Sequence, residues 1–507
     1  MYFNNFRFNL QHRAFYCYVL LSLWICVLLG VMYKYVGIEA TASSLLKHQT
    51  TEINIIQEQK LVGTLIKAKK ITKFCNIYKD IRPGSEGNFN SNYSLEGVIV
   101  LIRHGDRGPL THVVNVTNIN CDGPYDPLYG AFESYIKNIT GTPALSQLLG
   151  VFRRIHSPLP AGGCDIGLLT KIGASQLLAT GRVLREVYKH SLNISSSRIK
   201  DEIKVFSTSY SRTVHSALAF LYAFLDEEDY PKIVFQSVSS LTFCFDDCAC
   251  PKANYYLDQF VMESSKHLRS HPAVFNLVKA ASSIVYEIPH KKLSTDPHSL
   301  KDALLTYICH NSKLPCKYSF ASDRCVKPEQ VTGLFTYLNW ETKQSSKSKN
   351  FKRGSLLRAY GLLKNIVAQF LQMISERKPK LILYSGHDKT LSFLTSALGI
   401  TSDGVFSPYY ASRLIFEIYK SKELKGGTVG PIGSDYFFRL LFNGKDITTK
   451  VHFCKGVANH HPARQQNVTG FRNSSFFLCP LESIVRFLHD DYFSAFNATN
   501  LKDACAL

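Results

Sequence analysis

Residues 98–109 read V-I-V-L-I-R-H-G-D-R-G-P, and this stretch limits the folds open to the chain more than any other. Its first five residues, Val98–Ile102, form the short apolar run that is expected of a buried strand. Two arginines then flank a histidine in a glycine-bearing turn, at Arg103, His104 and Arg107. Arginine forks match phosphate oxygens two at a time, and a histidine held between them is placed to act as a nucleophile. On this motif alone, a strand followed by a charged surface turn remains the alternative.

Two later segments have the same plan of a short apolar run followed by polar residues. Leu381–Ser385 is followed by His387 and Asp388, and Val205–Ser207 is followed by Arg212. In α/β proteins the carboxyl ends of neighbouring strands form the crevice in which ligands bind. We therefore expect all three segments to meet in one crevice. The alternative for the histidine–aspartate pair is a capped helix start, because aspartate is a good N-cap residue.

Together the three segments resemble the histidine acid phosphatase family, in the branch with R-H-G-x-R-x-P early and H-D late. The resemblance implies that His104 is the nucleophile, which becomes phosphohistidine, and that Asp388 donates a proton to the leaving group. It implies four phosphate-binding residues: Arg103, Arg107, Arg212 and His387. It implies neither a metal nor another cofactor, and it makes Gly167–Gly173 a helix start. Gly108 departs from the family pattern, because many relatives carry a larger side chain there, and this puts the shape of the leaving-group pocket in doubt.

Three runs are most similar to one Golgi member of that family, which removes phosphate from the xylose of the proteoglycan linkage region. They are Phe243–Pro251, Arg413–Glu417 and Cys479–Phe487, and the likeness extends over about Glu96–Cys505. It implies a phosphorylated xylose substrate and a role in promoting glycosaminoglycan synthesis. Two alternatives remain: a membrane-anchored acid phosphatase of broad specificity, and a non-catalytic partner of Golgi glycosyltransferases. A glycosyltransferase partner is also compatible with the first interpretation.

Residues 14–33 carry no charge and are mostly apolar, which is the length needed to cross a bilayer. They predict a single-pass signal-anchor of type II topology, and the resemblance implies that the membrane is that of the Golgi. The tail at 1–13 would be cytosolic, 34–70 would form a stem, and 71–507 would form the lumenal catalytic domain. The alternative is a cleaved signal peptide ending near Ala40–Ala42, but its apolar region would be unusually long.

Sequons and cysteines both favour a lumenal catalytic body. Seven N-glycosylation sequons follow the apolar span and none precedes it: Asn92, Asn115, Asn138, Asn193, Asn467, Asn473 and Asn497. Of the 14 cysteines, Cys17 and Cys26 fall in the span, which leaves an even number compatible with six disulfides. The spacing of the others does not form the paired C-x-x-C knuckles of a zinc site. The spacing does not fix which cysteines pair.

The layout of the chain predicts an α/β fold with a core sheet, flanking helices and an inserted cap. Five runs are expected to form the sheet: Val98–Ile102, Val205–Ser207, Leu381–Ser385, Leu414–Tyr419 and Phe437–Phe442. Three runs are expected to form helices on its faces: Gln176–Tyr188, Arg212–Leu225 and Leu356–Ser375. Residues 238–352 hold six cysteines and no obvious sheet strand, and they are predicted to form a mostly helical cap over the site.

The net charge of +20 is the last constraint. A nucleic-acid partner is not expected, because the chain shows neither a basic stripe nor a recognised nucleic-acid module. Two interpretations stay open. The charge attracts anionic glycans or substrates, or it serves solubility alone.

Overall fold

A computed structural model of the protein describes residue 15 and residues 17–32, 69–87, 92–155, 157–160, 162–244, 248–288, 293–317, 324–400, 407–422, 435–457, 459–467 and 470–507. The chain divides into two units, residues 1–70 and 71–507. In the first unit residues 17–32 are helical, and the expected cytosolic tail and the stem up to residue 68 lie outside the described residues. Within the described part of the chain, no helix is both long and apolar enough to cross a membrane.

The described residues of the second unit form ten strands and thirteen α-helices. The strands are β1 (Tyr93–Arg103), β2 (Ile203–Ser207), β3 (Cys316–Lys317), β4 (Arg324–Cys325), β5 (Leu381–Gly386), β6 (Arg413–Ser421), β7 (Tyr436–Phe442), β8 (Lys445–Asp446), β9 (Asn459–Asn467) and β10 (Gly470–Pro480). The helices are α1 (Leu128–Ile139), α2 (Pro143–Leu149), α3 (Lys171–Tyr188), α4 (Ile199–Glu202), α5 (Ser211–Phe224), α6 (Pro251–Arg269), α7 (Pro272–Val285), α8 (Pro297–Cys309), α9 (Pro328–Ser345), α10 (Lys349–Glu376), α11 (Asp388–Ala397), α12 (Leu481–Arg486) and α13 (Leu501–Cys505).

The main sheet is mixed and has the strand order β2-β5-β1-β6-β7-β10-β9, with β8 paired to β7. Strands β2, β5 and β1 are parallel to one another, and the remaining pairings are antiparallel. All five predicted strands are confirmed. The short β3–β4 hairpin and strands β8 to β10 were not predicted. Strand β9 was missed because its sequence, N-H-H-P-A-R-Q-Q-N, is mostly polar and lacks the alternation that marks a half-buried strand.

Alternate residues of β1 point to opposite faces of the sheet, and each face has its own hydrophobic cluster. Val98, Val100 and Ile102 pack in a cluster to which α3 and α5 contribute. Ile99 and Leu101 pack in a second cluster to which α10 and α11 contribute. Both faces are covered, which explains why this strand reads as a continuous apolar run. The three predicted flanking helices are confirmed as parts of α3, α5 and α10.

The predicted cap segment, residues 238–352, contains α6, α7, α8, α9 and the β3–β4 hairpin. Side chains of α7, α8 and α9 share a third hydrophobic cluster with Val113 and Ile119, which follow β1. Six disulfides are present, as the even cysteine count predicted: Cys75–Cys309, Cys121–Cys164, Cys244–Cys248, Cys250–Cys505, Cys316–Cys325 and Cys454–Cys479. The first of them attaches the end of α8 to the segment that precedes β1.

Candidate active site

The carboxyl ends of the three parallel strands lie level with one another. Arg103 at the end of β1 is paired with Gly386 at the end of β5, and Ser207 at the end of β2 is paired with Ser385. The residues that follow these strands therefore meet at one edge of the sheet, as the sequence predicted. We call this group the arginine pocket; it consists of Arg103, His104, Arg107, Arg212, His387 and Asp388.

The turn after β1 is packed so closely that it requires glycine at two positions. A Cβ atom on Gly105 would lie 2.2 Å from the carbonyl oxygen of Gly173, in the first turn of α3. A Cβ atom on Gly108 would lie 2.0 Å from the carbonyl oxygen of Asp165. Any side chain at Gly108 would therefore collide with backbone in this protein. The predicted helix start is confirmed, since Thr170 caps α3 by accepting a hydrogen bond from the Gly173 amide at 3.0 Å.

His104 is buried and oriented by its own turn. Its Nδ1 lies 2.7 Å from the carbonyl oxygen of Gly105. A carbonyl oxygen can only accept a hydrogen bond, so Nδ1 carries the proton and the lone pair is left on Nε2. Burial, followed by the charges of Arg103, Arg107, His387 and Arg212, holds the pKa of His104 well below its usual value. The imidazole is thus neutral and suited to act as a nucleophile.

The three arginines of the pocket share one feature, an Nε atom that is buried and has no hydrogen-bond partner among the described residues. They are Arg103, Arg107 and Arg212. Each of the three guanidiniums has a partner at another nitrogen: Arg103, for example, donates from Nη1 to the carbonyl oxygen of Pro408 at 2.7 Å. Burial and the nearby Arg107 charge lower the pKa of Arg212 to about 10, so it stays protonated at neutral pH. Buried donors without partners are rare in native proteins, and three of them around one histidine indicate an anion site.

His387 lies beside His104 with its ring nearly perpendicular, and 5.4 Å separates the two ring centroids. Its Nε2 is 2.9 Å from Oγ1 of Thr208, the residue that follows β2. Burial and the charge of Arg212 lower the pKa of His387 to about 3. The ring is therefore neutral in these surroundings and adds no positive charge to the pocket.

Asp388 is the first residue of α11, and its side chain is half-exposed, at 49%. Its Oδ2 lies 3.3 Å from Nη2 of Arg103, and its Oδ1 accepts a hydrogen bond from the Lys389 amide at 2.8 Å. Partial desolvation raises the pKa of Asp388, but the charges of Arg103, Arg107 and Lys301 outweigh this effect and hold the pKa below its usual value. The protein by itself thus favours the carboxylate, and a proton-donor role requires a further negative charge nearby to raise this pKa.

Helix α8 adds three residues to the site that the sequence did not reveal. Asp302 accepts two hydrogen bonds from the guanidinium of Arg107, at 2.8 and 3.2 Å. Lys301 is close enough for its charge to lower the pKa of Asp388. His310, directly after α8, is buried with its Nε2 3.0 Å from Oδ2 of Asp106. The available signal was a Lys–Asp pair inside the otherwise apolar run of α8, L-K-D-A-L-L.

No group of three or more histidine, cysteine, aspartate or glutamate side chains is placed to hold a metal ion within the described ranges. Five of the seven sequon asparagines are described with their side chains, and all five are exposed: Asn92, Asn115, Asn138, Asn193 and Asn497. The side chains of Asn467 and Asn473 lie outside the description.

Comparison with known proteins gives the class of this site and then its family. The family model described as histidine phosphatase superfamily (branch 2) matches residues 94–443, a span that includes every residue of the arginine pocket. The protein is thus a phosphatase, with a neutral histidine and three arginines at the carboxyl edge of its sheet. The chain belongs to branch 2 of the histidine phosphatase superfamily.

The chain is also similar to individual curated proteins. A Homo sapiens protein named 2-phosphoxylose phosphatase 1 is 32% identical over 446 residues, which cover 85% of each chain. The Danio rerio protein of the same name is 30% identical over 460 residues, covering 85% of this chain and 86% of the relative. Prostatic acid phosphatase of Mus musculus is 27% identical over 342 residues, covering 65% of this chain and 76% of the relative.

Proposed function

We propose that the protein hydrolyses phosphomonoesters through a phosphohistidine at His104, and that its substrate is xylose 2-phosphate in the glycosaminoglycan–protein linkage region. The observation that carries the reaction is the set of three buried, unpartnered Nε donors around a neutral imidazole. The choice of substrate is supported by relatives named 2-phosphoxylose phosphatase that cover most of the chain. By removing this phosphate, the enzyme would promote glycosaminoglycan chain synthesis.

In the first step, Nε2 of His104 attacks the phosphorus in line with the sugar oxygen. The N–P bond forms as the P–O bond to the sugar breaks, and the three arginines together with His387 bind the equatorial oxygens. Asp388 gives its proton to the departing sugar oxygen. The phosphate dianion itself raises the pKa of Asp388 by like-charge repulsion, against the lowering by Arg103 and Lys301.

In the second step, water attacks the phosphorus of phosphohistidine. Asp388, now a carboxylate, accepts a proton from that water, and the N–P bond breaks to release inorganic phosphate and restore neutral His104. The proton that Asp388 gave in the first step is thus recovered in the second. Because Asp388 must start protonated and His104 must start neutral, activity is expected to favour mildly acidic pH.

The substrate is tested by comparing a phosphoxylose linkage oligosaccharide with an aryl phosphate on the purified catalytic domain. We expect a higher kcat/KM for the oligosaccharide, since a site that hydrogen-bonds a sugar can reject analogues by large factors. Similar values for both would support a broad-specificity acid phosphatase. No turnover of either by a folded protein would support a non-catalytic partner of glycosyltransferases.

In cells, loss of the protein should leave linkage regions phosphorylated and reduce the number of glycosaminoglycan chains. The net charge of +20 would then help to attract the anionic chain, an effect that added salt should weaken. Unchanged xylose phosphorylation in cells without the protein would contradict the substrate but leave the reaction standing.

We also propose that residues 14–33 anchor the enzyme in the Golgi membrane, with 1–13 in the cytosol and the catalytic domain in the lumen. Six disulfides and the exposure of five sequon asparagines support an oxidising, glycosylating compartment. Glycosidase treatment of membranes opened with mild detergent should remove the mass of several glycans. An unglycosylated chain, or a soluble form lacking the anchor, would contradict this topology.

A further inference from the structure

Helix α8 of the predicted cap and the residue after it contact two consecutive residues of the turn after β1, Asp106 and Arg107. The Asp302 carboxylate engages Arg107, and His310 lies 3.0 Å from Asp106. The proposed mechanism uses Arg107 for the substrate phosphate and assigns nothing to Asp302. A carboxylate beside a phosphate-binding arginine is unfavourable for binding by itself, because it places negative charge close to a dianionic ligand. Its presence therefore calls for an explanation.

We propose that Asp302 is a positioning residue, which fixes the plane of the Arg107 guanidinium so that one edge of it faces the substrate phosphate. This inference rests on the proposed function of the arginine pocket. Oδ1 of Asp302 accepts from Nη2 at 2.8 Å and Oδ2 accepts from Nη1 at 3.2 Å, so the carboxylate covers the end of the guanidinium. Nη1 also donates to the carbonyl oxygen of Gly108 at 3.0 Å, which fixes the plane from a second direction.

The atoms left over on Arg107 form the edge that a phosphate would use. Arginine has five N–H groups in a rigid plane, and the three contacts above use both Nη1 hydrogens and one from Nη2. The Nε hydrogen and the second Nη2 hydrogen lie side by side on the neighbouring edge, and Nε is buried without a partner. Two parallel N–H groups match two phosphate oxygens. The Asp302 carboxylate binds the other edge of the guanidinium, so it orients this pair of N–H groups without occupying them.

The Arg107–Asp302 pair is buried, so the benefit of orienting Arg107 outweighs the repulsion between the Asp302 carboxylate and the phosphate. Side-chain exposure is 5% for Arg107 and 19% for Asp302, so solvent screens their attraction weakly and Arg107 loses its alternative rotamers. The phosphate meets an arginine that is already in place, and it does not have to order the side chain on binding.

Helix α8 is held to the turn independently of Asp302, which makes the proposal testable. Cys309 is bonded to Cys75, and His310 faces Oδ2 of Asp106, to which Thr170 also donates at 2.7 Å. Removing the Asp302 carboxylate should therefore free the guanidinium and leave the helix in place.

The experiment is a double-mutant cycle with Asp302→Ala, Arg107→Ala and the double variant. It measures kcat/KM for an aryl phosphate and the affinity for vanadate, which imitates the five-coordinate transition state. Asp302→Ala should lower both by about tenfold to a hundredfold, since a small misplacement of a positioning group costs up to that much. In the Arg107→Ala background it should have no further effect, because it acts through that guanidinium alone. Asp258→Ala, an exposed carboxylate on α6, is the control for loss of cap charge and should change neither value.

Each outcome separates this inference from the function on which it rests. An equal loss in the Arg107→Ala background, or no loss in Asp302→Ala, would overturn the positioning role. A wild-type protein that neither binds vanadate nor hydrolyses the aryl phosphate would overturn the proposed function instead. If Asp302→Ala fails to fold, Asp302→Asn answers the same question, because it keeps one acceptor oxygen and should show a smaller loss of vanadate affinity at unchanged melting temperature.

Discussion

The arginine pocket can be compared with a second cluster of arginine and carboxylate side chains in the second unit, which lies in the core. The core ion cluster, on β6, β7 and β8, consists of Arg439, Glu417 and Asp446 with Tyr188 and Tyr419. Arg439 donates from Nε to Asp446 at 2.7 Å and from Nη1 to Glu417 at 3.3 Å. Glu417 also accepts from the two tyrosine hydroxyls, at 2.6 and 2.9 Å. In the arginine pocket, by contrast, three Nε atoms have no partner among the described residues.

The difference shows that burial and charge alone do not mark a functional site. A charge cluster whose donors and acceptors all meet within the protein stabilises or specifies the fold. A cluster that keeps buried donors unpaired retains them for a ligand, at a cost in stability. Activity and stability should therefore respond in opposite ways when the two clusters are changed.

The largest effect is expected from His104→Ala. No other side chain of the pocket is placed to supply the nucleophile, so turnover should fall by about 10⁴-fold or more. The melting temperature should change little. The surrounding arginines keep the imidazole neutral, so its removal breaks no ion pair. Assays with an aryl phosphate and thermal unfolding measure the two properties. Substantial remaining turnover would show that another group forms the intermediate.

Arg212→Ala and Glu417→Ala form a matched pair, one from each cluster. Arg212→Ala should reduce kcat/KM by about 10²- to 10³-fold, because it removes a charge from the transition state. Its stability should be unchanged or higher, since the neighbouring Arg107 charge repels this guanidinium.

Glu417→Ala should instead lower the free energy of unfolding by about 3 kcal/mol or more, because it breaks a buried ion pair and removes the acceptor oxygens of two tyrosine hydroxyls. The folded fraction should retain its kcat/KM. Chemical denaturation and active-site titration of both variants test the contrast, which would fail if the two changes had similar effects on both properties.

Asp388→Asn should separate substrates by their leaving groups. A sugar oxygen needs a proton to leave and an aryl oxygen hardly does, so the rate on a sugar phosphate should fall by about 10²- to 10⁴-fold. The rate on an aryl phosphate should fall less than about tenfold, because the general acid contributes little there. Equal losses on both substrates would contradict the proton-donor role.

His310→Gln should change how stability depends on pH. Burial lowers the pKa of His310, but the Asp106 carboxylate more than compensates and raises it above the usual value. Its two ring nitrogens face the carbonyl oxygen of Thr306 and Oδ2 of Asp106, which favours the charged ring. The stabilisation is therefore complete below about pH 6.5 and is lost as pH rises through the raised pKa.

Thermal unfolding at pH 5.5 and pH 8.5 measures this effect. His310→Gln should be less stable than the wild type by about 1 kcal/mol at the lower pH, with a smaller difference at the higher pH. A difference that grows with pH would mean that the ring is neutral in the folded protein.

Chelators should have the smallest effect, less than about twofold on kcat/KM, because arginines supply the positive charge that other phosphatases take from metal ions. Activity before and after dialysis against EDTA is the measurement. Strong inhibition that added metal reverses would contradict the mechanism.

The sequence predicted the parallel half of the sheet because Val98–Ile102 and Leu381–Ser385 are buried on both faces and read as apolar runs. It also predicted that the six residues of the arginine pocket would meet, since each lies at the end of a strand or within a few residues after it. It did not predict Asp302 or His310, which reach the pocket from a helix about 200 residues further along the chain. Periodicity in such a helix reports which face is buried and carries no information about its distant partner.

The long-range disulfides set an order of events for the biosynthesis of this enzyme. Cys75 pairs with a cysteine 234 residues later, and Cys250 pairs with one 255 residues later. Closing loops of that length removes about 5 kcal/mol of chain entropy from the unfolded state, once both ends exist. The turn after β1 also depends on later sequence, because β1 pairs with β5 and β6. The redox state of the compartment in which the chain folds should therefore affect how much active protein is made.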